Sequence, residues 1–302
     1  MRTAVVITLL SGVVLFALFC SIIFAHPGSG IVIDTSGQVF FTDTGRGVWK
    51  IDVQGNLTYL PSHKFHWMAI DEAGYFSASE KNFGEYFERV TPQHAKPALL
   101  MCSDFPVTVH SDGNMYYADS RPGYHRIMRR RPDGKESVLA SGEAFEATTG
   151  IASGPDGSLY VTDGGRSHTN AIRKITMDGK VSTIAADFVA HDSATSPPPE
   201  DRGTSCRGLA VDSQGTVYVA ATGDRSVLKI TPQGKATVVL RAISPWSPTG
   251  VTVSGSEVYV LEWRDAPPSE LETRSAWIPR VRKIGRDGKV TTLATVSRDA
   301  TK

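Results

Sequence analysis

The chain has 302 residues, with 32 Lys and Arg against 31 Asp and Glu, a formal net charge of +1. A balance that close leaves no global field to draw in nucleic acid or an anionic membrane face, so no nucleic-acid partner is expected. The densest cationic run, Arg126, Arg129, Arg130 and Arg131, alternates along a predicted strand and reads as a solvated outer face.

In chain order, the first element is Thr3 to Ala25, an uncharged run that follows Arg2 and ends at Ile23-Phe24-Ala25 ahead of His26-Pro27. A basic start, an apolar core and a small final residue predict a secretory signal over 1–25, cleaved before His26. That makes the protein exported, periplasmic or secreted. The run is longer than a usual signal core, so the alternative is an uncleaved anchor, a membrane tether that holds 26–302 facing outside. Phe19 stands where a lipoprotein signal before Cys20 needs a small residue, so no lipid anchor is expected.

From Gly30 onward one motif returns six times: an apolar run, a glycine-centred turn, an apolar-aromatic run ending near an acid, then a second strand pair. The copies read GIVIDTSGQVFFTD, WMAIDEAGYFSAS, PVTVHSDGNMYYAD, GIASGPDGSLYVTD, GLAVDSQGTVYVAA and GVTVSGSEVYVLE. Each makes one antiparallel sheet too small to bury its own faces. Six in series therefore predict an all-β fold, one six-bladed β-propeller of four-stranded antiparallel blades over 26–302. Gly37, Gly74, Gly113, Gly157, Gly215 and Gly255 sit in the inner hairpin turns, where a tight turn needs positive φ. Gly55, Gly134, Gly179, Gly234 and Gly288 close the outer hairpins, with Gln93-His94 in their place in blade 2.

Both turn series fall on one rim. The opposite rim carries the links between blades and two long proline-containing inserts, Asp187 to Ser205 and Trp263 to Pro279. Long loops on a rigid scaffold are where binding tends to reside. Blades 1 and 6 each contain four strands of their own, so the ring is expected to close by side packing without a shared strand. Cys102 and Cys206 are separated by blade 4, farther apart than the roughly 7 Å a bridge tolerates, and read as two buried thiols, with a disulfide as the alternative.

The strings GLAVDSQGTVYVA…VLKITPQG, GIASGPDGSLYVTD…IRKITMDG and FFTDTGRGVWKIDVQG resemble NHL repeats, which build six-bladed propellers found in binding modules, sensors and a few lyases. The likeness covers essentially all of the chain beyond residue 25. The same segments are similar to the gluconolactonase and strictosidine-synthase relatives. For the hydrolytic branch that resemblance implies a divalent metal at the ring centre, held by a Glu from an EGP-like start and by Asn from PNG-like strand starts. This chain departs at those points, reading His26-Pro27-Gly28-Ser29-Gly30 and Pro248-Thr249-Gly250. The aligned strand starts, Ser29, His66, Phe105, Thr149, Arg207 and Thr249, offer one imidazole, one guanidinium and hydroxyls. That is a poor cage for a hard cation. No cofactor is expected, the alternative being one divalent metal, zinc or calcium.

Asp43, Asp119, Asp163 and Glu262 align at the ends of second strands. Arg46, Arg121 and Arg166 follow the three aspartates closely, and these acids read as binders of their own loops rather than as general acid-base groups. The loop-rich rim also gathers His63, His66, His125, His168 and His191. Peptidyl-amidoglycolate lyases place a three-His zinc site on such a rim, so His66, His168 and His191 form the alternative metal set by resemblance.

Strand starts point at the mouth of the central channel, which makes His66 and Arg207 the leading candidates. The planar fork of an arginine suits a carboxylate or phosphate, the alternative being an ion pair of Arg207 with Asp224 or Glu262. Trp67, Trp246, Trp263, Thr249 and Arg264 complete the candidate ligand-binding set, since aromatics around a polar mouth serve partner binding. The reading is an exported propeller that binds a protein, a peptide or a small anionic ligand on this rim. The alternative is a metal-dependent hydrolase or lyase at the channel mouth.

Overall fold

A computed structural model describes residues 27–76, 87–92, 95–103, 105–119, 123–145, 147–164, 170–188, 206–264 and 277–297. The signal or anchor expected at 1–25 lies outside them. Among the described residues no helix is long and apolar enough to cross a membrane.

The protein is a six-bladed β-propeller. Blade 1 is the meander β1 (Ile31–Ile33), β2 (Val39–Asp43), β3 (Gly47–Ile51) and β4 (Leu57–Pro61). Blade 2 holds β5 (Trp67–Asp71), β6 (Phe87–Arg89) and β7 (Ala98–Cys102). Blade 3 is β8 (Val107–Val109), β9 (Met115–Asp119), β10 (Arg126–Arg130) and β11 (Glu136–Ser141). Blade 4 is β12 (Thr148–Ser153), β13 (Leu159–Asp163), β14 (Ala171–Ile175) and β15 (Val181–Ala186). Blade 5 is β16 (Leu209–Val211), β17 (Val217–Ala221), β18 (Ser226–Ile230) and β19 (Ala236–Arg241). Blade 6 is β20 (Trp246–Ser254), β21 (Glu257–Arg264), β22 (Ile278–Ile284) and β23 (Val290–Thr295).

The glycine turns are as expected: Gly37, Gly74, Gly113, Gly157, Gly215 and Gly255 all carry φ between 57° and 83°. Side chains alternate across each blade, so every sheet shares one hydrophobic cluster with the blade before it and another with the blade after it. In β7, Leu99 and Met101 face Val32, Phe40 and Val48 of blade 1, whereas Ala98, Leu100 and Cys102 face Val107, Met115 and Tyr117 of blade 3. Cys102 and Cys206 are buried thiols that are not bridged to each other, as expected, which sets aside the alternative of a disulfide.

Blade 2 departs from the expected meander. The repeat places its second strand at Tyr75-Phe76, yet the strand paired with β5 is β7, in the order β5-β7-β6 with Trp67 opposite Cys102 and Asp71 opposite Ala98. The reason is burial. A strand covered on both faces needs an unbroken apolar run; Ala98–Cys102 supplies one buried at every position, whereas Tyr75 is exposed. Gln93-His94 lies outside the described residues. Arg89, at the end of β6, donates to the carbonyls of Thr91, Pro92 and Ala95 at 2.8–3.0 Å.

The ring closes as expected, with the sheets of blades 1 and 6 each formed from their own four strands. Phe41, Trp49 and Ile51 pack against Leu261, Trp263 and Val281 across the seam. The segment before β1 adds polar clamps. The Gly28 carbonyl accepts from the Thr249 hydroxyl at 2.7 Å and from Trp263 Nε1 at 2.9 Å.

Candidate functional site

Six inner strands surround a central channel of about 250 Å³, lined mainly by backbone and aliphatic side chains. At its mouth on the loop-rich rim the strand starts approach closely. A Cβ on Gly250 would lie 2.3 Å from the Ser29 carbonyl oxygen, and one on Gly150 2.6 Å from the Arg207 carbonyl oxygen. Only glycine permits that packing. Main-chain bonds tie neighbours together, from Ser29 and Gly30 N–H to the His66 carbonyl and from Gly208 N–H to the Thr249 carbonyl.

Arg207 is fixed in this ring from both sides. Its N–H donates to the Ala220 carbonyl, and its own carbonyl accepts from the Thr162 hydroxyl at 3.0 Å. The side chain leaves blade 5 and reaches the start of blade 1, where Nη1 donates to the Pro27 carbonyl at 2.9 Å. Blade 6 lies between those two, so the guanidinium spans part of the mouth. Among the described residues it forms no ion pair: Glu262, one expected partner, is taken by Arg280 and Arg282, and Asp224 is not paired with Arg207. Desolvation pulls the guanidinium down to about 10, so it stays charged at neutral pH with a single neutral acceptor. A partly buried, desolvated cation with no counter-ion among the described residues is unfavourable for folding and marks a candidate binding group.

Ser29, at the first strand start, is 5% exposed, and its hydroxyl has no hydrogen-bond partner among the described residues. Sequence reasoning placed Ser29 at a strand start but gave it no role. His66 donates from Nδ1 to the Ser103 carbonyl at 2.7 Å, which puts the lone pair of the neutral ring on Nε2. Trp67 is partly buried and lines the channel next to it.

The other expected site residues lie elsewhere. Thr249 and Trp263 are 1% exposed, and both donate to Gly28. Trp263 meets Trp277 edge to face inside the seam. Trp246 and Arg264 pair across β20 and β21 at the ring perimeter, where Arg280 stacks on Trp246 at 3.9 Å from the ring centre and Arg264 Nε is buried without a partner. His168 and His191 lie outside the described residues, as does most of both long inserts. His63 pairs with Glu88 at 3.0 Å.

The second-strand acids are structural, and two of them pair with arginines of the neighbouring third strand; Arg121 and Arg166 of the following loops lie outside the described residues. Asp119 takes Arg126 at 2.9 Å and Asp163 takes Arg173 at 3.0 Å. Asp43 accepts from Gly45 N–H at 3.0 Å and from Trp49 Nε1 at 3.1 Å, while burial raises its carboxyl above the ordinary range.

The divalent metal implied by the resemblance does not fit the mouth. Thr249 and Thr149 hydroxyls are engaged by Gly28 and Thr162, no carboxylate stands at a strand start, and Arg207 brings a positive charge to the same space. Among the described residues no three His, Cys, Asp or Glu converge.

Comparison with known proteins agrees with the architecture. The chain is 27% identical over 173 residues to Teneurin-m of Drosophila melanogaster, covering 53% of this chain and 6% of that protein. It is 23% identical over 222 residues to Teneurin-3 of Mus musculus, covering 67% and 8%. The chain thus spans less than a tenth of the length of these relatives. Among solved structures it is similar to the PQQ-bound aldose sugar dehydrogenase of Streptomyces coelicolor, with 13% identity and a TM-score of 0.52 over 78% of this chain and 88% of that one. It is also similar to catalytically inactive virginiamycin B lyase of Staphylococcus aureus with quinupristin, with 15% identity and a TM-score of 0.51 over 88% and 83%. At those identities the likeness is one of fold. The model of the SMP-30/gluconolactonase/LRE-like region matches residues 107–261, just over half of the chain, and the protein belongs to that family.

Proposed function

We propose that this propeller is an exported binding protein whose channel mouth takes a small anionic ligand, a carboxylate on a metabolite or at the end of a peptide. The observation that carries the reading is Arg207, a partly buried, desolvated guanidinium anchored by one carbonyl and lacking a carboxylate partner among the described residues. Its remaining N–H donors match the two oxygens of a carboxylate. The hydroxyl of Ser29 offers one further donor, and Trp67 an apolar wall. Export rests on the sequence of 1–25, with mature protein starting near His26.

The test is calorimetric titration of the mature protein with a panel of small carboxylates at low ionic strength, alongside metal analysis. Saturable binding that falls at least about tenfold in Arg207→Ala, with the melting temperature kept, supports the reading. Stoichiometric zinc or calcium that is lost on mutating His66 would overturn it in favour of a metal-dependent hydrolase or lyase.

A further inference from the structure

A second cationic cluster lies on the perimeter, away from the mouth. A groove of about 340 Å³ between blades 5 and 6 is lined by Arg241, Ser244, Trp246, Arg280, Arg282 and Thr292, with Ile243 at its lip. Ile243 is the most exposed large apolar side chain described, at 82%. Blades 3 and 4 show what such a flank needs for folding: one acid on the second strand and one arginine on the third. Arg126 stands directly opposite Asp119, and Arg173 lies two positions along from the residue opposite Asp163.

Blade 6 uses both positions at once. Arg280 stands opposite Glu262, Arg282 two residues farther along, and both bind its carboxylate, at 2.5 and 3.2 Å. Blade 5 then adds Arg241, which forms no ion pair among the described residues. Two guanidiniums share one carboxylate and a third lines the same groove, which leaves an excess of two positive charges.

The groove is also arranged in advance. Glu262 is fully buried beneath it and fixes Arg280 through Nε and Arg282 through Nη1. Trp246 holds the Arg280 plane by stacking. Among the described residues the terminal nitrogens of Arg280, Arg282 Nε and Nη2, the side chain of Arg241 and two hydroxyls are donors without a matching acceptor. Donors outnumber acceptors, and Arg280 and Arg282 require little ordering on binding.

We propose that this groove is a ligand site for a phosphate-monoester dianion, with the ester's apolar part lying along Ile243. A dianion matches the excess charge, and three guanidiniums can each present paired N–H groups to a phosphoryl oxygen. A monocarboxylate satisfies only part of the donor set. The site is separate from Arg207 and does not depend on the reading given to the channel mouth.

The experiment titrates the full mature protein with phenyl phosphate, inorganic phosphate and benzoate at low ionic strength. Phenyl phosphate should bind saturably and at least about tenfold more tightly than benzoate. Arg241→Gln, at an exposed strand end, should weaken phenyl phosphate about tenfold with the melting temperature unchanged. Arg207→Ala should leave that affinity alone. Inorganic phosphate binding as tightly as phenyl phosphate would keep the phosphoryl site and overturn the role of Ile243. Equal affinities for phenyl phosphate and benzoate, no saturable phosphate binding, or loss of binding in Arg207→Ala with none in Arg241→Gln would overturn the proposal.

Discussion

The channel mouth and the blade flanks use arginine in opposite ways. On the flanks of blades 3 and 4, Arg126 and Arg173 each neutralise an aspartate that is almost fully buried, and charge is balanced within the blade. At the mouth, Arg207 is partly buried and desolvated, and among the described residues its side chain donates to the Pro27 carbonyl and meets no carboxylate. The difference traces to one position of the repeat. Near the ends of their second strands blades 1, 3, 4 and 6 carry the aligned acids Asp43, Asp119, Asp163 and Glu262, whereas blade 5 has Ala221 there. In a repeat protein, a cation whose own repeat has lost its acid is the one to suspect of serving a ligand.

The comparison presumes a rigid mouth, which gives the largest expected effect. Gly250→Val would drive a side chain into the Ser29 carbonyl at the seam, and should cost on the order of 3 kcal/mol or more in a urea titration. A variant as stable as the parent would show that the strand starts are not tightly packed. Next comes the contrast itself. Asp163→Ala leaves Arg173 partly buried with its charge unbalanced and should cost about 3 kcal/mol, whereas Arg207→Ala removes one hydrogen bond together with a desolvated charge and should cost less than about 1 kcal/mol. Equal losses would erase the distinction between structural and ligand-facing arginines.

The smallest effect sharpens the flank side. Burial raises the Asp43 carboxyl, so folding favours its protonated form. Stability from this group is present at low pH and is lost as pH rises through the raised value. Asp43→Asn keeps an acceptor for Gly45 or Trp49 but has no proton to lose. The change in urea midpoint between about pH 4 and about pH 7 should therefore shrink in the variant. An unchanged pH profile would mean that the Gly45 and Trp49 hydrogen bonds offset the burial.

The fold was legible where local constraint and pattern coincide. A turn that demands positive φ and a strand covered on both faces leave marks in the sequence, and the inner strands and glycine turns follow them. Blade 2 was harder because it contains two apolar runs. Tyr75-Phe76 fits the repeat, while Ala98–Cys102 fits the space between blades 1 and 3, and packing on both faces decides. At the site, Arg207 could be found from its position at a strand start. The commitment of Thr249 and Trp263 to the seam could not, since their shared acceptor is a backbone carbonyl more than 200 residues away. The perimeter groove was hidden for a similar reason: Arg241 belongs to one repeat and Arg280 and Arg282 to the next, and only ring packing unites them.

The bond between Arg207 and Pro27 joins the channel mouth to the segment that precedes the first blade. Thermodynamic reciprocity then binds the two events. An anion that draws the guanidinium away from Pro27 loosens that segment, and anything that pins the segment down weakens the anion by the same factor. A propeller whose leading residues are grasped from across its own centre can thus report occupancy of the mouth at the point where its chain enters the ring.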